Sequence, residues 1–406
     1  MKNLLELFLG VSIFLVLYTY LGYGIIAWGL VKIRKVLGKT FPIMNDPSYL
    51  PSVTLVVPAY NEISCVESKL FNSLSLDYPA KKIEFLFVTE GSTDGTTEYI
   101  ESIKKQYPNV HLIGGTERRG KIEAMNMAVP TITTPIVIFT DANTTLNKLA
   151  IKNIVRHFKD EKVGAVAGEK RIQLNDSEAA AGAGEGLYWK YESFLKKLDT
   201  ELYSVVGAAG ELFAVRTPLF QQVEKDTLLD DFVISLRIAA DGYRVIYEPE
   251  AYAIERPSFS IKDEMKRKIR IAAGGFQAIN RLQMLLNVFK YGWLSFQYVS
   301  HRAMRWAVAP FCLPLIYLFN FLIVLPWDSS VTLLPNYFYI ALLIAQTIFY
   351  IMALLGFQLE DRQIRVKLLF VPFYFSFMNW CAIKGYFRYK NGLTSGIWEK
   401  VKRADG

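Results

Sequence analysis

Ile136-Val137-Ile138-Phe139-Thr140-Asp141-Ala142-Asn143 is an apolar run that ends in a carboxylate followed, two positions on, by an amide. A continuous β-branched and aromatic run of this length reads as a parallel strand buried on both faces. Open α/β sheets bind ligands outside the carboxyl ends of their strands, so Asp141 is expected at the mouth of a site. Asp-x-Asn offers one carboxylate and one side-chain carbonyl to a hard divalent cation, leaving room for water and diphosphate oxygens. The competing reading makes Asp141 the cap of a following helix, a common use of Asp and Asn.

Working outward, the stretch 53–58 (Val-Thr-Leu-Val-Val-Pro) reads as a first strand stopped by proline, with a turn at 59–62 and a helix reaching about Leu74. A second strand over 83–89 closes on Glu90-Gly91-Ser92-Thr93-Asp94-Gly95. A helix from about Thr96, a short strand near 111–113 and a helix from Lys121 lead to the strand at Ile136. Parallel strands need crossover connections, so this alternation argues a mostly parallel sheet. Glu62, Glu90, Asp94 and Asp141 recur just after strands, which places a crevice along one edge. Gly-Ser-Thr-Asp-Gly taken alone is also ordinary turn chemistry.

The chain has 406 residues, 52% hydrophobic and 14% aromatic, and a mean hydropathy of +0.20, high for a soluble protein. The cause is local: 7–31, 306–327 and 329–359 contain no charged residue. Each is long enough to cross a bilayer core of roughly 30 Å as a helix. The first run exceeds the usual signal-peptide core and no small-residue cleavage pattern follows, so it reads as a retained anchor. A shorter run, 368–383, is tight as a full span. Cys65, Cys312 and Cys381 form no disulfide framework, and with His111, His157 and His301 scattered no zinc site is expected. The formal charge of +8 concentrates beside apolar segments, at Lys32, Arg34, Lys35, Arg362, Arg365, Lys367, Lys384 and Arg388. That pattern marks cytoplasmic flanks of membrane helices rather than a nucleic-acid surface, and places the middle of the chain in the cytoplasm.

Several motifs in fixed order resemble the membrane-bound family 2 glycosyltransferases, which have the GT-A fold. They are Val-Pro-Ala-Tyr-Asn-Glu (57–62), Glu-Gly-Ser-Thr-Asp-Gly-Thr (90–96), Arg-Gly-Lys-Ile-Glu-Ala-Met-Asn (119–126) and Thr-Asp-Ala-Asn (140–143). Beyond them lie Gly-Ala-Ala-Gly-Glu-Leu-Phe-Ala-Val-Arg (207–216), Leu-Asp-Asp-Phe (229–232) and Gly-Tyr-Arg-Val-Ile-Tyr-Glu-Pro (242–249). The resemblance, which extends to bacterial polysaccharide synthases, implies an α/β GT-A domain, Rossmann-like, with membrane helices at both ends. It implies donor binding by Pro58, Tyr60, Glu62, Glu90, Lys121, Asp141 and Arg270, a Mg²⁺ or Mn²⁺ held by Asp141 and Asn143, and Asp231 as the catalytic base. The family commonly carries acidic pairs where Thr89-Glu90 and Asp141-x-Asn143 stand. The base, uridine by family habit, is therefore open.

A base must deprotonate the acceptor hydroxyl as it attacks the anomeric carbon, so a carboxylate facing the donor is required. Adjacent carboxylates at 230 and 231 also suit a helix start. Residues 185–198 form a helical pattern with Leu187, Tyr191, Phe194 and Leu198 on one face, and Trp189 and Glu192 are the acceptor-side candidates. From Ser260 a capped helix sets Ile261, Met265, Ile269, Ala272 and Phe276 against a Lys/Arg-dense side, the pattern of a helix lying on an anionic membrane. Processive members carry Gln-x-x-Arg-Trp here. Arg267 and Ile271 replace Gln and Trp, while Arg270 is kept.

These readings divide the chain into an N-terminal membrane helix (1–35), a cytoplasmic GT-A domain (36–258), interface helices (259–303) and a C-terminal membrane region with a basic tail (304–406). They imply an inverting transfer of a hexose or N-acetylhexosamine from a nucleotide-sugar to a growing polysaccharide at the cytoplasmic face of the plasma membrane. Single-sugar transfer to a lipid-linked acceptor is the alternative. A non-catalytic nucleotide-sugar-binding protein is the rival from another class. A partner subunit is compatible with each, and nucleic acid is not an expected partner.

Overall fold

The computed structural model describes residues 2–41, 46–173, 183–256, 260–325, 332–361 and 366–393. Its strands are β1 Val53–Ala59, β2 Ile83–Glu90, β3 Val110–Gly115, β4 Ile136–Thr140, β5 Thr145–Leu146, β6 Val163–Ile172, β7 Leu212–Arg216 and β8 Arg244–Glu255. The helices around them are α3 Ile63–Leu74, α4 Thr96–Ile103, α5 Lys121–Ala128, α6 Ala150–Val155, α7 Ala183–Leu202 and α8 Asp230–Ala240, preceded by α1 Lys2–Leu17 and α2 Tyr23–Val36. After β8 come α9 Ile261–Arg281, α10 Val288–Gln297, the short α11 Met304–Ala307, α12 Ala309–Val324, α13 Asn336–Asp361 and α14 Lys367–Lys390.

The strands form one mixed sheet in the order β3-β2-β1-β4-β7-β6-β8-β5. β3, β2, β1 and β4 run parallel, as the strand–helix alternation requires. β7 is antiparallel to both β4 and β6, while β6 and β8 pair in parallel. The half built before Asp141 is therefore parallel and the half built after it is mixed.

β4 is the central strand and is buried on both faces. Ile136 and Ile138 pack with α3, α4 and α6, whereas Val137 and Phe139 pack with α5 and α8. All four side chains are fully buried, contributing roughly 1.5–3 kcal/mol each. Asp141 follows directly but caps no helix: its carbonyl accepts from Thr144 Oγ1 at 2.9 Å, and α6 begins only at Ala150.

α1 and α2 form one apolar helix, Lys2–Val36, with a π-turn at Tyr18–Gly22; among the described residues it and Asn336–Glu360 are long and apolar enough to cross a membrane. The expected span at 306–327 is bent: helices Val288–Ala307 and Ala309–Val324 meet at 54°. The break falls at Val308, two residues before Pro310, whose ring and missing N–H disrupt the preceding turn. Glu6 accepts from the Leu333 amide at 3.0 Å and from Tyr339 Oη at 2.9 Å, so the start of α1 meets the start of α13.

The apolar side of α9 does not lie free on a membrane surface. Ile261, Met265 and Ile269 pack on Phe373, Phe377 and Cys381 of α14. A Cβ at Gly385 would lie 2.5 Å from Ala272 Cβ, so this glycine lets the two helices approach closely. α7 differs from expectation in part: Phe194 is exposed, while Tyr191 and Leu198 of the expected face pack, with Leu195 and Leu202, against Tyr23, Ala27 and Val31 of the first membrane helix. Arg362 and Arg365 lie outside the described residues, as does the side chain of Leu187.

Candidate active site

Four elements converge at the carboxyl end of β4. Gly120, at φ 101°, turns the chain into α5 so that Lys121 opens the helix. Lys121 Nζ donates to Asp141 Oδ1 at 2.5 Å and to the Gly210 carbonyl at 3.3 Å, and stands 4.0 Å from Asp230 Oδ2. Burial works against the ammonium, but Asp141 and then Asp230 hold it charged, above the ordinary lysine value. A Cβ at Gly210 would lie 3.4 Å from Lys121 Nζ and 3.5 Å from Asp231 Oδ2. Lys121 and Asp231 thus both face the space that a side chain at Gly210 would fill, and the Gly210 carbonyl is within the lysine's reach.

Asp230 and Asp231 form the first turn of α8. Burial and the Asp230 charge push the Asp231 carboxyl up to about 8, against the pull of Lys121. Glu211, beside them, behaves oppositely: burial would raise it, but Lys170 and, more weakly, Arg267 bring it down to about 2. Lys170 also pairs with Glu255. Arg267 is engaged by Glu264 at 3.0 Å and Glu255 at 3.7 Å. Burial lowers the Arg270 guanidinium, while the charges of Asp230 and Asp231 oppose the shift. Trp306 of α11 packs over Gly275 of α9 and meets Phe232 edge-on with ring centroids 5.4 Å apart.

The β1 and β2 ends form a second group. Asn61, at φ 52°, accepts from the Thr93 amide at 2.8 Å and donates its own amide to Ser92 Oγ at 3.2 Å. Asp94 accepts from the Ile63 amide at 3.1 Å and the Thr96 amide at 3.1 Å. The Gly-Ser-Thr-Asp-Gly loop is turn chemistry that also stitches the Tyr60–Glu62 loop in place. Arg118 stacks over the Tyr60 ring, 4.1 Å from its centroid. Pro58 pairs in register with Val88 near the carboxyl ends of β1 and β2, and Glu62 accepts from Cys65 Sγ at 3.1 Å. Glu90 Oε2 accepts from the Arg119 and Gly120 amides at 3.1 and 2.8 Å, while its buried Oε1 has no hydrogen bond. Burial raises the Glu90 carboxyl, against those two amides.

The acceptor-side expectation for Glu192 is corrected. This carboxylate is 4% exposed and is held by Arg305 at 2.6 Å, Arg302 at 2.8 Å and His301 Nε2 at 3.4 Å. Burial opposes its charge, yet the two arginines keep it well below the usual carboxylate range. His301 Nδ1 reaches Asp199 at 2.6 Å, and Tyr23 of the first membrane helix donates to the same carboxylate. Glu192 therefore ties helices together and is not open to a sugar. Trp189 lies with its ring centroid 6.0 Å from Lys268 Nζ of α9.

Among the described residues no group of three or more His, Cys, Asp or Glu is arranged to hold a metal. Asp141 and Asn143 are both partly exposed on the turn after β4. Two hard oxygen donors there fit a cation that completes its shell with diphosphate and water. Sequence reading gives Gly210 and Glu211 no role beyond the 207–216 motif and misses Lys170 and Lys69. Lys69 carries a signal: it sits with Val66, Leu70 and Ser73 on the buried face of α3, where a charge is out of pattern.

Residues 51–274, more than half of the chain, match the family model described as glycosyltransferase like family 2. Poly-beta-1,6-N-acetyl-D-glucosamine synthase of Staphylococcus aureus is 29% identical over 259 residues, 62% of this chain and 60% of that protein. The enzyme of the same name from Staphylococcus epidermidis is 25% identical over 256 residues, with 61% and 60% covered. The matched region thus spans about 60% of the length of these curated relatives. A mannosyltransferase from Pyrobaculum calidifontis, solved with GDP-Man and Mn²⁺, superposes with a TM-score of 0.69 at 24% identity, covering 94% of this chain and 99% of that one. The family match and the shared fold lead to one conclusion: the chain belongs to the family 2 glycosyltransferases.

Proposed function

We propose that this protein transfers a hexose or N-acetylhexosamine from a nucleotide-sugar to a growing polysaccharide, inverting the anomeric centre, at the cytoplasmic face of the membrane. The observation that carries this reading is the gathering of Lys121 and Asp231 beside Gly210, with Asp141 bonded to the lysine. A cation at a helix start suits a diphosphate, and a carboxylate of raised proton affinity beside it suits a general base. Asp231 takes the proton from the acceptor hydroxyl, and Lys121 and Arg270 offset the charge of the leaving diphosphate. A Mg²⁺ or Mn²⁺ held by Asp141 and Asn143 would supply Lewis-acid stabilisation of that diphosphate; the mannosyltransferase solved with Mn²⁺ supports this. On the nucleotide side, Tyr60 stacks with Arg118 as a platform for the base, beside Pro58 and Glu62. Glu90 Oε1 is an acceptor suited to a base N–H, with a UDP-sugar as the first donor to test.

The membrane division proposed from the sequence fits helices of this length and apolarity at both ends. Lys32, Arg34 and Lys35 at the end of α2 support a cytoplasmic catalytic domain. Single transfer to a lipid-linked acceptor is the second reading, favoured by the commitment of Arg267 to Glu264 and Glu255. Product masses from a panel of nucleotide-sugars separate the two. A ladder of products supports polymer synthesis, a single added sugar supports the second reading, and no transfer from any donor contradicts both.

A further inference from the structure

Lys69 is 1% exposed, yet among the described residues its ammonium is bonded only to neutral oxygens: Thr140 Oγ1 at 2.9 Å, the Thr144 carbonyl at 2.9 Å and Thr144 Oγ1 at 3.2 Å. A deeply buried ammonium ordinarily has a carboxylate partner, because desolvating the charge is costly. Burial pulls this group down to about 7, with the Asp141 charge opposing. The three acceptors are the two ends of the turn that carries Asp141 and Asn143.

The bonds continue past those threonines. Thr144 Oγ1 donates to the Asp141 carbonyl at 2.9 Å, and Thr140 Oγ1 donates to the Glu211 carbonyl at 2.9 Å. One buried side chain therefore fixes the end of β4, the turn after it and the entry to β7, where the Gly210 carbonyl receives Lys121. One helical turn on, Asn72 exchanges bonds of 2.9 and 2.8 Å with the Leu146 backbone. α3 thus grips both ends of residues 140–146.

We propose that Lys69 is a positioning residue for the cation and diphosphate, acting through Thr140 and Thr144 to hold Asp141 and Asn143 in place. The proposal rests on reading those two residues as the metal pair. Two possible roles of Lys69 differ in sign. A buried cation beneath a cation site repels the metal, so if charge were its whole effect, removing it would tighten metal binding. If it holds the turn, removing it loosens metal binding.

Electron paramagnetic resonance of Mn²⁺ titrated into the full chain in detergent, with saturating UDP or GDP, reads this without turnover. Lys69→Met is expected to raise the Mn²⁺ dissociation constant about tenfold, the scale of losing a group that orients a ligand. Lys69→Gln, which keeps two N–H donors, recovers part of that loss, and serves alone if the methionine variant does not fold. Unchanged or tighter Mn²⁺ binding in a folded Lys69 variant overturns the proposal. Asp141→Ala is run in parallel. If it leaves Mn²⁺ binding unchanged, the metal reading falls and takes the positioning role with it. If Asp141→Ala loosens Mn²⁺ and the Lys69 variants do not, only the positioning role falls.

Discussion

The ammonium of Lys121 stands 2.5 Å from Asp141 Oδ1, joining the first residue of α5 to the residue that follows β4. In the proposed function that pair prepares a site for a polyanion. The lysine is held charged by carboxylates, Asp141 first, and a bound diphosphate can share it.

Lys121→Met should therefore weaken nucleoside diphosphate binding about tenfold or more, the scale of one charge-assisted hydrogen bond. Isothermal titration of the detergent-solubilised protein checks this. Undiminished affinity would remove Lys121 from the donor site.

The pH dependence follows from Asp231, whose carboxyl is pushed up to about 8 by burial and by Asp230. A general base acts when deprotonated, so kcat/KM should climb from pH 6 and level off above about pH 8. Lys121 lowers this carboxyl, so Lys121→Met should move the rise to higher pH. A profile flat from pH 6 to 9 would count against Asp231 as base. Stability has its own sign. A carboxylate raised on folding favours the native state below its unfolded value, and that contribution is lost as pH rises through the folded value. Asp231→Asn should accordingly raise Tm more at pH 8.5 than at pH 5.

Glu192 separates a structural role from a sugar-binding one. Glu192→Ala leaves Arg302, Arg305 and His301 facing a buried space without their shared carboxylate. Breaking a buried ionic group in this way costs about 3–5 kcal/mol, readable as a large fall in Tm. An acceptor-binding role would instead raise the acceptor KM at unchanged Tm.

The α9–α14 contact offers a test of how the membrane helices support the site. A Cβ at Gly385 would lie 2.5 Å from Ala272 Cβ and 2.8 Å from the Ala273 amide nitrogen. Gly385→Val should cost about 1–3 kcal/mol through overpacking and lower activity by shifting the helix that carries Arg270. Gly29→Ala, where a Cβ meets nothing within 4 Å, should change neither.

Much of this organisation is legible in the residues. The apolar run ending at Asp141 is a central strand, with alternate side chains entering the two cores. The strand–helix alternation before it is the parallel half of the sheet. The mixed half was not legible, because β6, β7 and β8 are joined by long segments whose pairing is set by tertiary contact and not by local pattern. Glu192 misled for a related reason: a carboxylate among aromatics looks like a sugar contact until the arginines 110 residues on fold over it, Arg305 being 113 positions away. The amphipathic pattern of α9 marks a face to be buried and suits lipid as well as α14, since nothing in one helix names the helix that covers it. Lys69 was overlooked because a single lysine in an apolar stripe is easily taken for a surface residue, and only the fold shows that it lies under the Asp141 turn.

The most direct test is nucleoside diphosphate release from a productive nucleotide-sugar and acceptor by the purified wild-type protein and by Asp231→Asn. The account predicts release by the wild type and a loss of at least about a hundredfold in the folded variant, the scale of general-base catalysis. Release by Asp231→Asn at the wild-type rate would contradict it.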